Sequence, residues 1–404
     1  MTVHFTPSHP HGRVNIHPSK SQSHRALICA AAADGTSRIG NLSDCEDCLA
    51  TEKALRSLGA EIRREGRLTT VVGHGFPELS EAPFLPCGES ASTFRMLLPL
   101  AILRNNKAIF QGSSRLIERA LPDVADFCHA TGAVFAQTET ILTVTGKLTP
   151  GELILPAGGS SQLVSGLLMA LPFCGEDSCL SLSSPPVSRP YIDMTKSELS
   201  RFGVAVNVTS PTSFLIPGRQ ACRPTDMTVE GDHSAAAPFF CLAALGEDVS
   251  VDGLSAESVQ GDKVAFRLLS SLSRKAADID LSDIPDLAPC LFAMAAVAHG
   301  GHFSGIARLR RKETDRVACM ERELSAFGAA FSYEGEDSLA IMPGRLCAPE
   351  RPLSSHGDHR IAMALSSLLS LTGGTLSGAA CVSKSFPGFF DALSALEVSF
   401  SVIH

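Results

Sequence analysis

Residues 18–25 read Pro18-Ser19-Lys20-Ser21-Gln22-Ser23-His24-Arg25, two cations interleaved with three serines between a short extended stretch (14–17) and an apolar run (26–33). Ser19 is a natural N-cap, since its hydroxyl can accept from free amide groups of a first helical turn. A helix beginning there aims unpaired N–H groups and a partial positive charge outward. With Lys20 and Arg25 added, the stretch suits a phosphate or a carboxylate.

Further cations sit at comparable places. Arg95 follows Phe94 at the start of an apolar run and must either face an anion or pair with an acid such as Glu89. Arg115 and Arg119 are four apart and share a helix face, where like charges repel unless an anion or an acid such as Glu118 or Asp123 compensates. Arginine's planar fork suits carboxylate and phosphate. Gly158-Gly159-Ser160-Ser161-Gln162 is a glycine-rich turn into a helix. It lacks the Lys-Ser/Thr of a P-loop, so it suggests a phosphate or hydroxyl cradle and no nucleotide. Asp286 directly precedes an apolar run, where it is either an N-terminal cap or, among cations, a general base. Arg308-Leu309-Arg310-Arg311-Lys312-Glu313-Thr314-Asp315-Arg316 is the densest charged run, with acids between bases. Asp358-His359-Arg360 and Lys384-Ser385-Phe386-Pro387 complete the set. Cys45-Glu46-Asp47-Cys48 has no second pair at zinc spacing and is not expected to bind metal, nor are His9 and His11.

The elements that must carry these groups repeat. Strand-like pieces at 37–42, 108–112, 179–182, 249–254, 302–306 and 375–378 recur mostly about 70 residues apart. Amphipathic helical segments such as 47–58 and 117–130 follow, and Gly59, Gly132, Gly203 and Gly328 stand where left-handed caps belong. Each unit also holds an apolar helix with a polar start: Ser19-Lys20-Ser21, Glu89-Ser90-Ala91-Ser92, Gly158-Gly159-Ser160-Ser161-Gln162, Asp232-His233-Ser234, Asp283-Ile284-Pro285-Asp286 and Gly357-Asp358-His359-Arg360. A helix apolar nearly all round is buried. Six such units predict an α/β protein of two three-unit domains, helices inside and sheets outside, with the polar helix starts facing a shared cleft.

Composition agrees. A chain of 404 residues with 44% apolar residues exceeds one ordinary core. It has no Trp, two Tyr and a net charge of −8, which argues against nucleic-acid or membrane-surface partners. The start, Met1-Thr2-Val3-His4-Phe5, does not resemble an export signal. The apolar stretch at 287–298 is too short and interrupted to span a bilayer. Thirteen cysteines without framework spacing fit free thiols in a reducing cytoplasm.

Taken together and in order, these motifs resemble the 5-enolpyruvylshikimate-3-phosphate (EPSP) synthase family, the 3-phosphoshikimate 1-carboxyvinyltransferases. The resemblance rests on the Ser-Lys-Ser-x-Ser-x-Arg-Ala start, Ser160-Ser161-Gln162, Ser188-Arg189-Pro190-Tyr191-Ile192-Asp193, Val229-Glu230-Gly231-Asp232, Ile284-Pro285-Asp286, Lys312-Glu313-Thr314-Asp315-Arg316, Asp358-His359-Arg360 and Lys384-Ser385-Phe386-Pro387. It implies a two-domain inside-out α/β barrel of six βαβαββ repeats, three per domain. One domain would be 1–18 with 228–404, the other 19–227, with the active site in the cleft between them. The implied reaction moves the enolpyruvyl group of phosphoenolpyruvate to the 5-hydroxyl of shikimate 3-phosphate and releases phosphate, in the cytoplasm, with no cofactor or metal and with a monomer as the expected form.

Position by position, the resemblance gives Lys20, Ser21, Arg25, Ser160, Ser161, Gln162, Ser188, Asp286 and Lys312 to shikimate 3-phosphate. It gives Lys20, Ala91, Arg119, Gln162, Arg316, Arg360 and Lys384 to phosphoenolpyruvate. Asp286 would take the 5-hydroxyl proton and Glu313 would protonate the methylene carbon, with Lys20 and Lys384 stabilising charge. The chain departs from the family at Gly88-Glu89-Ser90-Ala91-Ser92, where members commonly read Gly-Asn-x-Gly-Thr. The Ala91 methyl is expected to crowd glyphosate, which occupies the phosphoenolpyruvate site in the family. Glu89 is expected to pair with Arg95 or Arg119. Arg308 stands where some members carry an Asn. Rival readings are the sister transferase acting on UDP-N-acetylglucosamine, which usually has Lys-Asn near its start where this chain has Lys20-Ser21, and a non-catalytic anion-binding relative.

Overall fold

The computed structural model describes residues 1–156 and 160–403. Gly158 and Gly159 of the glycine-rich turn lie outside the described residues. The chain forms two compact units, Met1–His17 with Gly231–His404 and Pro18–Glu230. Each has its own apolar core, one around Phe94, Phe110 and Phe214, the other around Phe239, Phe292 and Phe303.

Core-filling helices dominate each unit. In Lys20–Ala32 every residue but Ser21 is buried, and in Ala288–Val297 every residue but Val297. Ala91–Ala101, Ser161–Ala170, His233–Ala244 and His359–Thr372 are similarly enclosed. Ala91–Ala101 and Ser161–Ala170 pack so closely that a Cβ on Gly166 would lie 2.8 Å from the carbonyl oxygens of Arg95 and Met96. Amphipathic helices such as Glu46–Ser57, Ser114–Thr131 and Arg316–Leu324 complete the layers. Gly132 and Gly328 end their segments with positive φ, as their places in the sequence predict.

The described strands form six sheets, three per unit. Five have four strands in the same order. In one, Phe84–Gly88 runs parallel to Lys107–Gly112, which pairs antiparallel with Ile141–Thr145, which pairs antiparallel with Val134–Gln137. Asp278–Asp280, Gly301–Ser304, Ser338–Met342 and Ala330–Tyr333 repeat that order in the other unit. The repeat expected from residue 249 is reduced: Val249–Asp252 pairs in parallel only with Gly12–Asn15, and the chain then turns into the helix Ala265–Leu272 without a hairpin. The sheets stay separate and do not close edge to edge into a barrel. None of the described helices is long and apolar enough to cross a membrane.

Candidate active site

In the unit Pro18–Glu230 the polar helix starts are capped by neutral hydroxyls. Ser19, Ser90 and Ser160 accept from the amides of Gln22 (3.3 Å), Thr93 (3.2 Å) and Gln162 (3.2 Å). Neutral caps leave the positive end of each helix dipole uncancelled. Lys20, in the first turn, is buried and holds Asp47 across 2.9 Å. Behind it, His24 Nδ1 lies 2.7 Å from Thr51 Oγ1, and Thr51 lies 2.7 Å from Thr93, tying three helices together. Burial pushes the His24 imidazole down to about 3, so this contact is neutral at physiological pH.

Arg25 is not the open cation that its sequence context suggests: it is 1% exposed and its guanidinium is committed internally. It donates to Thr195 Oγ1 (2.7 Å), Ser21 O (2.7 Å), Ser165 Oγ (3.2 Å) and Tyr191 O (2.9 Å). These bonds tie Ser21 to the helix Arg189–Arg201, which Ser188 precedes. Ser188 is 2% exposed and adopts a left-handed conformation, φ 57°. Backbone strain of this kind in a non-glycine residue gathers at sites that hold ligands.

Arg95 is the hub of a second cluster. It pairs with Asp123, not with the expected Glu89, which is exposed and pairs with neither Arg95 nor Arg119 among the described contacts. The reason is placement: Asp123 lies on Ser114–Thr131, where its other oxygen accepts from Ser160 N at 3.0 Å. Arg95 also donates to Arg119 O (2.9 Å) and to Gln162 Oε1 (3.4 Å), while Gln162 Nε2 donates to Ser92 (2.9 Å). One buried ion pair thus sets the positions of Arg119, Ser160 and Gln162. Ser161 is buried beside them on the same helix, and Ala91 opens its own helix at 8% exposure.

In the other unit, seven charged side chains meet. Asp286 is not a cap: the helix Ala288–Val297 has no side-chain N-cap bond. Its carboxylate instead meets Arg316 Nη1 at 2.9 Å, Arg360 Nη2 at 3.4 Å and Lys312 Nζ at 3.6 Å. Arg316, 1% exposed, also bonds Glu313 through Nη2 (2.9 Å) and Asp358 through Nε (2.8 Å). Lys384 lies 4.0 Å from Glu313. Asp358 caps the helix His359–Thr372 by accepting from Arg360 N at 2.8 Å. Burial pushes the Lys312 ammonium down to about 8, against the pull of Asp286.

The site residues expected from this unit, Asp286, Lys312, Glu313, Arg316, Arg360 and Lys384, therefore all belong to one network. Asp47 and Asp123 were missed as partners of Lys20 and Arg95. Asp47 reads locally as an ordinary first-turn acid, and nothing near Asp123 in the sequence points to Arg95. Among the described residues no group of three His, Cys, Asp or Glu is arranged to hold a metal ion.

A sequence profile of the EPSP synthase (3-phosphoshikimate 1-carboxyvinyltransferase) family matches residues 6–393. The chain belongs to the EPSP synthase family. It is 36% identical to the 3-phosphoshikimate 1-carboxyvinyltransferase of Clostridium kluyveri, over 98% of this chain and 97% of that one. It is 35% identical to the enzyme of the same name from Clostridium beijerinckii, over 94% of each chain. The fold matches that of an EPSP synthase from Acinetobacter baumannii with a TM-score of 0.79 at 24% identity, covering 99% and 100% of the two chains. Membership of the EPSP synthase family accounts for a basic inventory built inside a chain of net negative charge.

Proposed function

We propose that the chain transfers the enolpyruvyl group of phosphoenolpyruvate to the 5-hydroxyl of shikimate 3-phosphate, giving EPSP and inorganic phosphate on the route to chorismate and the aromatic amino acids. The observation that carries the reading is the network around Arg316, which places two candidate proton-transfer carboxylates, Asp286 and Glu313, on the cations that would receive anionic substrates. Lys312, Arg316, Arg360 and Lys384 face Asp286, Glu313 and Asp358, a surplus of one positive charge.

That arrangement gives the substrates a chemical role in their own activation. Arg316, Arg360 and Lys384 pair with Asp286 and Glu313. A phosphate or carboxylate of phosphoenolpyruvate competes for the same cations. As it draws them away, Asp286 and Glu313 are released for general acid and base work. Asp286 would then take the 5-hydroxyl proton as that oxygen bonds to C2 of phosphoenolpyruvate, while Glu313 gives a proton to C3. The product of this step is a tetrahedral ketal phosphate. Glu313 would then take a proton back from the methyl group as the bond between the ketal carbon and the phosphate oxygen breaks, and Asp286 would return its proton to the leaving phosphate, which regenerates the enol ether and both carboxyl groups.

Lys20, Ser21, Ser160, Ser161, Gln162, Ser188, Asp286 and Lys312 would hold shikimate 3-phosphate, with Arg25 fixing Ser21. Lys20, Arg119, Gln162, Arg316, Arg360 and Lys384 would hold phosphoenolpyruvate against Ala91. A monomer working in the cytoplasm fits a chain that carries all of these residues itself. The test is phosphate release from phosphoenolpyruvate by the purified chain, without added metal, with shikimate 3-phosphate or UDP-N-acetylglucosamine in parallel. Release only with shikimate 3-phosphate supports the reading. Release only with the sugar nucleotide, or none with either from folded protein, overturns it.

A further inference from the structure

Outside the seven-membered charge network, a second buried carboxylate lies on the same helix. Glu323 is in the last turn of Arg316–Leu324 and is 1% exposed. Its Oε1 accepts from His356 Nε2 at 2.8 Å, and its Oε2 accepts from Arg351 Nη1 at 2.8 Å and from the Ser354 amide at 3.3 Å. Arg351 also donates to the Arg322 carbonyl. All of these contacts grip one segment, residues 351–356, which leads directly into Asp358 and Arg360.

The segment needs gripping. His356 has φ 53° and Gly357 has φ 76°, two consecutive left-handed residues of which only the second is glycine. A histidine there is held against its own backbone preference. The turn is pinned underneath by Ser355, fully buried, which donates to Gly378 O (2.8 Å) and accepts from Gly357 N (3.1 Å), with its carbonyl taking the Asp358 amide (2.9 Å). Immediately beyond, Asp358 takes Arg316 Nε and the Arg360 amide. One short helix therefore clasps the same turn twice. Arg316 at its start holds Asp358, and Glu323, seven residues and roughly 10 Å further along the axis, holds His356.

We infer that Glu323 is a positioning residue: acting through His356, it fixes the left-handed turn that aims Arg360 and Arg316 at phosphoenolpyruvate. Glu323 itself touches none of the proposed substrate-binding side chains. With its charge removed, the turn relaxes toward ordinary φ values, the start of His359–Thr372 shifts with it, and Arg360 loses its register with Asp286 and Arg316. This rests on the function proposed above, and it predicts a defect confined to one substrate.

The test compares Glu323→Gln, His356→Ala and the double variant with the wild type. Two readouts are used: steady-state kinetics, and calorimetric binding of phosphoenolpyruvate in the presence of shikimate 3-phosphate. The expected result is a five- to twentyfold rise in KM and Kd for phosphoenolpyruvate, with kcat at saturation within about twofold. The double variant is expected to be no worse than the poorer single one, because both act through one bond. Ile341→Val, a core change on Ser338–Met342, should lower Tm and leave KM unmoved, which separates positioning from general loss of stability. Folded Glu323→Gln and His356→Ala with wild-type KM for phosphoenolpyruvate, or with additive effects, would overturn the inference. If Glu323→Gln does not fold, His356→Ala alone carries the comparison, since its side chain is 22% exposed. Wild-type turnover in the same series reports separately on the proposed function. A wild type that turns over beside variants with unchanged affinity sinks only the positioning role, whereas a wild type that neither turns over nor binds sinks both.

Discussion

Replacing Arg316 with methionine removes a side chain that touches three carboxylates at once, while preserving much of its apolar stem. The wild-type contacts are 2.9 Å to Asp286, 2.9 Å to Glu313 and 2.8 Å to Asp358. What remains are Arg360 at 3.4 Å, Lys312 at 3.6 Å and Lys384 at 4.0 Å. Asp358 is fully buried and keeps only weaker company, the Thr314 hydroxyl at 3.4 Å and its own capping amide. Breaking a buried pair from one side costs about 3–5 kcal/mol, because a charge is left behind. For a unit of this size each kcal/mol lowers Tm by about 2–4 °C, so a fall of roughly 6–20 °C is expected. Adding Asp286→Asn removes one of the stranded charges. Calorimetry of the two single variants and the double should therefore show a coupling of about 1–2 kcal/mol, the double being more stable than the sum of its parts. Strict additivity would refute the view that Arg316 and Asp286 belong to one buried network.

Four further outcomes are expected. The Lys312 ammonium, brought down to about 8 by burial, should lose its charge as pH rises from 7 to 9, so KM for shikimate 3-phosphate should climb over that range; Lys312→Arg, charged throughout, should flatten the rise, and an identical rise in both proteins would refute the assignment. The same depression has a sign for stability: the folded protein binds fewer protons than the unfolded one between about 8 and 10.5, so burial of Lys312 costs most below pH 8 and the cost lifts as pH rises, which Tm against pH will show by a shallower slope in a Lys312→Met variant. Gly166→Ala would push a methyl to 2.8 Å from two backbone oxygens, an overpacking of about 1–3 kcal/mol that should lower Tm by several degrees. Ala91→Gly should make phosphate release more sensitive to glyphosate by tenfold or more, and an unchanged inhibition constant would show that the Ala91 methyl does not crowd that site.

How much of this was legible in the sequence depended on distance along the chain. The polar helix starts at Ser19, Ser90, Ser160 and Asp358, and the glycines at 132 and 328, were readable because caps act within three or four residues. The alternatives left open at Asp286 were not separable locally, since its deciding partners, Lys312 and Arg316, lie 26 and 30 residues away in sequence. The alternatives open at Arg95, an anion or an acid such as Glu89, were not separable for the same reason: Glu89 is near in sequence, whereas Asp123, 28 residues on, is near in space. Arg25 carried the right charge for an anion site, but its internal acceptors, Ser165, Tyr191 and Thr195, come from two distant helices. The reduced sheet at residues 249–252 was hidden by a strand-like run that no hairpin follows.

In the proposed mechanism, carboxylates held by substrate-binding cations carry the proton transfers. The most direct measurement is kcat for Asp286→Asn, taken with calorimetric binding of shikimate 3-phosphate to the same protein. A fall in kcat of about 10²–10⁴-fold, the usual contribution of a positioned acid or base, with binding retained within about tenfold, is the predicted result. A variant that binds shikimate 3-phosphate normally and turns over within a few-fold of wild type would contradict the claim.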